Sequence, residues 1–171
     1  MKFAHVLSAS VAVVLSLAVA SAPKAFAASP ATATIAVSAT VTNSCTVNNG
    51  TLPFGTYTGT KLSVTGTFTV NCTTGGDYII ALNAGIGSGA SFTNRLMTNG
   101  GTGLGSYTLG YNIYTVSGGG VVWGDGTGST QTVTGTGTGA AQTINVYGVI
   151  PAGEAAISGT YNDTVTATVT Y

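Results

Sequence analysis

Apolar and polar positions alternate with a period of two along most of the chain. Val64, Gly66, Phe68, Val70 and Cys72 fall on one side of an extended backbone, and Thr65, Thr67, Thr69 and Asn71 on the other. The pattern continues through Tyr78, Ile80, Leu82 and Ala84, through Tyr107, Leu109, Tyr111 and Ile113, and through Ile144, Val146, Gly148 and Ile150. Near the end of the sequence Val165, Ala167, Val169 and Tyr171 alternate with Thr164, Thr166, Thr168 and Thr170. An apolar face backed by threonine is what a sheet with one buried and one wet side requires. Turn clusters such as Asn48-Asn49-Gly50, Thr74-Gly75-Gly76-Asp77, Gly118-Gly119-Gly120 and Pro151-Ala152-Gly153 separate the runs. Beyond residue 27 no stretch shows an amphipathic 3.6-residue period. The pattern predicts strands over residues 38–47, 63–72, 77–84, 107–115, 141–150 and 160–171, arranged as a β-sandwich.

Six strands are one short of an immunoglobulin-like sandwich, and the sixth is still running at Tyr171. The expectation is an incomplete immunoglobulin-like fold lacking its last (G) strand, with an exposed edge that invites aggregation. Strand chemistry is to spare at the other end. In residues 28–37, Ala31, Ala33, Ile35 and Val37 alternate with Thr32, Thr34 and Ala36. That segment reads either as a long first strand or loose terminus, or as a donor strand that fills the empty position of the next molecule. Burying Ile35 and Val37 would contribute about 1.5–3 kcal/mol each. The alternation by itself does not choose between the two.

Composition narrows the partners. Of 171 residues, 31 are threonine and 26 glycine, together a third of the chain, which favours strands over helices. Only Lys2, Lys24, Lys61 and Arg95 stand against Asp77, Asp125, Glu154 and Asp163. So little charge excludes a nucleic-acid-binding face and a polybasic membrane patch. With 44% hydrophobic residues the chain also lacks the signature of disorder.

Residues 1–27 read as a cleaved export signal. A short start with one Lys precedes an apolar run over residues 6–20, and Ala25-Phe26-Ala27 supplies the small-x-small site, with cleavage after Ala27. The run is too short for the roughly 20 residues of a spanning helix. Cleavage removes His5, the single histidine, and with it Ser-His-Asp or Cys-His catalysis and every histidine-containing zinc site. Cys45 and Cys72 read as a disulfide in an exported chain; a two-cysteine metal site or a reactive thiol are the rival readings. The four carboxylates lie in or beside turn sequences and read as solvated turn residues, with a bond to nearby backbone open to Asp163, rather than a glycosidase pair. Glycine strings such as Gly85-Ile86-Gly87-Ser88-Gly89 and Gly135-Thr136-Gly137-Thr138-Gly139 read as loops, since a phosphate loop needs a following helix. Trp123 and Tyr147 read as packing residues. No enzyme, metal or cofactor is expected.

In this setting several motifs acquire a shared meaning. They are Cys45 followed by Leu52-Pro53-Phe54-Gly55-x-Tyr57; Gly76-Asp77-Tyr78; Arg95-Leu96-Met97; Leu109-x-Tyr111-x-Ile113-Tyr114; Trp123-Gly124; residues 146–153; and Gly159-x-Tyr161-x-Asp163-Thr164-Val165 onward. In this order, across residues 38–171, the chain resembles a spore coat protein U domain, the domain shared with subunits of archaic (Csu-type) chaperone–usher pili. Val149, where a basic residue is usual, and the lack of an acid after Tyr114 depart from the pattern.

The resemblance implies a pilin-like subunit held by a periplasmic chaperone and completed, at the outer-membrane usher, by the N-terminal donor strand of a neighbouring subunit. It implies a surface fibre, a fimbrium serving adhesion and biofilm formation. It further implies an acceptor groove lined by Val41 and Val47 on the first strand and by Val165, Ala167, Val169 and Tyr171 on the last, and a Cys45–Cys72 bond joining the ends of the first two strands. Two alternatives stand beside it: a spore or cell coat protein of the same domain family, and a small outer-membrane β-barrel.

Overall fold

The computed structural model describes residues 29–100 and 107–171, so the expected leader over residues 1–27 lies outside the described residues. Two units divide at Ala39/Thr40. In the first, residues 29–39 carry no strand and are exposed. Among its described residues the second holds ten strands: β1 (Cys45–Thr51), β2 (Leu62–Cys72), β3 (Asp77–Leu82), β4 (Arg95–Thr98), β5 (Thr108–Tyr114), β6 (Val122–Trp123), β7 (Thr130–Gln131), β8 (Val133–Thr136), β9 (Gln142–Ile150) and β10 (Ala167–Thr170).

One sheet runs β1-β2-β9-β5-β6-β7, with β4 also on β5, and the other runs β10-β3-β8. The β2–β9 ladder shows why the sequence chooses this pairing. Its register sets Val64 against Gly148, Gly66 against Val146 and Phe68 against Ile144, while Thr65, Thr67 and Thr69 meet Tyr147, Asn145 and Thr143 on the other face. A slip of one residue would turn every apolar side chain outward. Phe68, Val70, Ile80, Leu82, Ile113 and Trp123, drawn from both sheets, share one buried core.

Trp123 ties the layers together. It is fully buried, its ring lies 6.2 Å from that of Phe68 in the first sheet, and its Nε1–H donates to the Ile80 carbonyl of the second at 2.9 Å. Gly148 leaves room for Phe54: a Cβ there would stand 2.7 Å from the ring, which meets Tyr111 edge-on at 5.7 Å. Tyr161 Oη donates to the Ile157 carbonyl at 2.8 Å, the corner contact found where the sixth strand of immunoglobulin-like sandwiches begins. The fold is all-β and immunoglobulin-like. Among the described residues β1 pairs only with β2, and β10 only with β3. The arrangement is therefore an open sandwich, not the closed ring of a transmembrane barrel.

Several expectations shift. The first strand covers Cys45–Thr51 rather than residues 38–47, and Asn48-Asn49-Gly50 lies inside it instead of forming a turn. The cause is a bulge: Asn48 pairs with Thr69 and Thr51 with Thr67, so three steps on β1 meet two on β2. Gly50 sits where a Cβ would run into the Thr67 carbonyl and Phe68 Cβ. The string beginning at Gly135 is likewise not all loop, because β8 includes Gly135. A side chain there would collide with the ring of Tyr78.

The last strand is divided. Ladder pairing covers Ala167–Thr170 only, while Asn162 bridges to Thr98 of the opposite sheet. The chain thus crosses between sheets over residues 162–167.

Candidate functional site

The two long sides of the sandwich differ. On one, β7 belongs to the first sheet and β8 to the second, with only Thr132 between them, so the chain itself closes the seam. On the other, β1 and residues 161–167 stand apart and bound a groove of about 680 Å³. Val47 and residues 48–52 form one wall and residues 161–167 the other, above Phe68, Leu82, Met97, Tyr111, Ile113 and Val146. A second cavity of about 640 Å³ continues it, sharing Leu52, Phe54, Met97, Tyr161 and Asn162 and adding Pro53, Tyr57, Leu109 and Ile157. Together the walls run through residues 47–57 and 156–167.

Local chemistry fixes both walls. Cys45 and Cys72 are bonded, with an S–S distance of 2.04 Å across a separation of 27 residues, and they are also register partners. The bond clamps the start of edge strand β1 to β2. Closing a loop of this length contributes roughly 3–4 kcal/mol on the chain-entropy account. Tyr57 Oη donates to the Pro151 carbonyl at 2.8 Å and accepts from the Glu154 amide at 3.0 Å, holding the end of the first wall.

The opposite wall hangs on Asp163. Its carboxylate accepts from Tyr111 Oη at 2.7 Å and from the Ile86 amide at 2.8 Å. Burial, reinforced by the hydrogen bond to Asp163, pushes the Tyr111 phenol well above its ordinary range, so it stays a neutral donor. Glu154 accepts from the Gly110 amide at 2.9 Å. Asp163 and Glu154 are therefore fasteners between distant segments and not the solvated turn residues that their sequence positions suggest. Asp77 and Asp125 are exposed. Asp125 bonds both the amide and the hydroxyl of Thr127 in a local turn, which lowers its pKa.

The structure brings three of the expected groove residues together, Val47, Val165 and Ala167. Val169 lies half-buried in β10 against the core, and Tyr171 follows β10 with 57% of its surface exposed. Val41 precedes β1 and is 82% exposed. The expected donor residues Ala31, Ala33, Ile35 and Val37 carry no strand pairing, and Ile35 and Val37 are 85% and 90% exposed.

Sequence reasoning missed the floor of the groove. Phe68, Leu82, Met97, Tyr111 and Val146 read equally well as ordinary core, because alternation reports which face is buried and not what covers it. The groove and the exposed, alternating segment over residues 29–39 present different chemistry. One offers free strand edges over apolar pockets; the other offers main chain and small apolar side chains at every second position.

Comparison with known proteins places this architecture. A family model described as Spore Coat Protein U domain matches residues 31–168. Protein U of Myxococcus xanthus is 33% identical over 145 residues, which cover 75% of this chain and 78% of that protein. Among solved structures, the chaperone–tip adhesion subunit pre-assembly complex from the archaic chaperone–usher Csu pili of Acinetobacter baumannii contains a chain that superposes with a TM-score of 0.55 at 22% identity. The match covers 77% of this chain and 40% of that one. At that identity the likeness is one of fold.

Proposed function

Because the chain belongs to the Spore Coat Protein U domain family, we propose that it is a structural subunit of a surface fibre, assembled by donor-strand complementation between copies. The observation that carries this reading is the groove between β1 and residues 161–167, open along one side of a sandwich whose other side is sealed. Residues 28–37 of a neighbouring copy enter that groove, and the fibre grows by repetition. Before assembly a periplasmic chaperone covers the same surface, since a bare apolar groove with free strand edges aggregates. An outer-membrane usher exchanges the chaperone for the next subunit. Residues 1–27 direct export, and the subunit ends in a fimbrium at the cell surface that serves adhesion and biofilm formation. The role is structural and not catalytic. The motif match and the superposition on a chain from a chaperone-bound pilus complex support this reading.

The family's description favours one other reading, a coat protein packed around dormant cells without an usher. Mechanical shearing of intact cells separates the two. A fibre subunit is released as high-mass polymer, whereas a coat protein stays with the coat layer. Retention with integral outer-membrane proteins would contradict both.

A further inference from the structure

We infer that the donor strand extends to Val41, so that Val41 enters the groove of a second copy instead of lining the groove of its own; this rests on the reading proposed above. Apolar residues occupy every odd position in an unbroken series: Ala31, Ala33, Ile35, Val37, Ala39, Val41. The even positions hold Thr32, Thr34, Ala36, Ser38 and Thr40. Nothing in that alternation marks an end at residue 37. Pro30, which has no N–H to donate, marks its start.

The structure marks the other end. Residues 29–44 form no ladder, and Val41 is as exposed as Ile35. Attachment to the domain begins with the Thr42 carbonyl, which accepts from Thr73 Oγ1 at 3.5 Å, and tightens over the next two residues. Asn43 Nδ2 donates to the Asp77 carbonyl at 3.2 Å, and the Asn43 side chain fills the space beside Gly76. The Ser44 amide donates to Thr73 Oγ1 at 3.1 Å, and the Thr73 amide to the Ser44 carbonyl at 2.9 Å.

Length agrees. The walls of the joined groove run through residues 47–57 and 156–167. An extended segment over residues 31–41 spans about 33 Å, against about 20 Å for residues 31–37. Residues 31–37 match the seven-residue strand Cys45–Thr51, and the four further residues carry the donor on toward residues 52–57, where the wall is lined by side chains and is no longer strand. Thr42 alone then separates the last donor side chain from the first anchored one, so consecutive subunits are joined without a flexible linker.

The test compares fibre yield, by sedimentation, for the full chain carrying Ile35→Asp, Val41→Asp or Thr40→Asp, each variant first shown to melt at the temperature of the unmodified monomer. A charge at an inward position loses its water and finds no partner, while one at an outward position stays wet. Yield is expected to fall at least about ten-fold for Ile35→Asp and Val41→Asp and to stay near the unmodified level for Thr40→Asp. Hydrogen exchange on unmodified fibres should protect the amides of residues 38–41 as strongly as those of residues 33–37. The inference is overturned if Val41→Asp polymerises normally while Ile35→Asp does not, if Thr40→Asp is as damaging as Val41→Asp, or if protection stops at Val37. Normal polymerisation of Ile35→Asp would instead remove the donor-strand reading itself.

Discussion

A chain carrying Ile35→Asp should fold as a monomer, fail to add to a fibre as donor, and still accept a strand from an unmodified neighbour. Ile35 is 85% exposed, so the change alters a side chain that is mostly in solvent. Its cost appears only on assembly. The apolar side chain is worth about 1.5–3 kcal/mol in a pocket, and a carboxylate put in its place is stripped of water with no cation to meet it. Deleting residues 28–37 should give the same outcome. Mixed with unmodified chain, either variant should cap growing fibres and shorten them in proportion to its share, as electron microscopy can measure. Fibres of ordinary length and yield from the variant alone would refute donor-strand assembly.

The largest expected loss of stability comes from Arg95. It is fully buried at the start of β4. Its guanidinium donates to the Asn83 carbonyl through Nε at 3.1 Å and Nη2 at 2.8 Å, to the Trp123 carbonyl at 2.7 Å, to Asn112 Oδ1 at 2.9 Å and to the Phe92 carbonyl at 3.3 Å. Burial draws its pKa below the ordinary value, countered by Tyr111 and Asp163, but arginine lies so far above neutrality that it stays charged. One planar fork thus ties β4 to the ends of β3 and β6 and to the middle of β5. Arg95→Leu removes the donors and leaves their acceptors buried and unpaired, at about 1–3 kcal/mol for each that water cannot reach. A net loss of roughly 3–5 kcal/mol is expected, lowering Tm by about 10–15 °C. Arg95→Lys should recover little, since an ammonium cannot serve four acceptors arranged around a plane. Thermal unfolding followed by circular dichroism checks this; an unchanged Tm would show that the network is not formed.

How much of this was readable beforehand depends on what set each element. Strands β2, β3, β5 and β9 were legible within about two residues, because burial on one face and threonine on the other leave a direct record in the sequence. Strand β1 was misplaced because Val41 and Val47 share a parity with Cys45, so alternation alone fits a strand that starts seven residues too early. Asn48-Asn49-Gly50 has the composition of a turn, and only its fit against Thr67 and Phe68 makes it a bulge. The two-residue strands β6 and β7 carry too few positions to show a period.

The site was legible in part for a related reason. Val47, Val165 and Ala167 were placed at the groove by what the family resemblance implies for the first and last strands, whereas the floor under them is ordinary core in every local respect. The roles of Asp163 and Glu154 depend on partners 44 to 77 residues away, which no local pattern encodes. Arg95 was visible only as one of four basic residues, since the acceptors around it are mostly backbone carbonyls.

The most direct test of the account adds a peptide of residues 28–41 to the Ile35→Asp monomer and follows backbone hydrogen exchange. The account predicts one peptide bound per chain, with new protection confined to Cys45–Thr51, residues 161–167 and Ala167–Thr170, the free edges on either side of the groove. No binding, or protection elsewhere while those edges exchange as before, would contradict it.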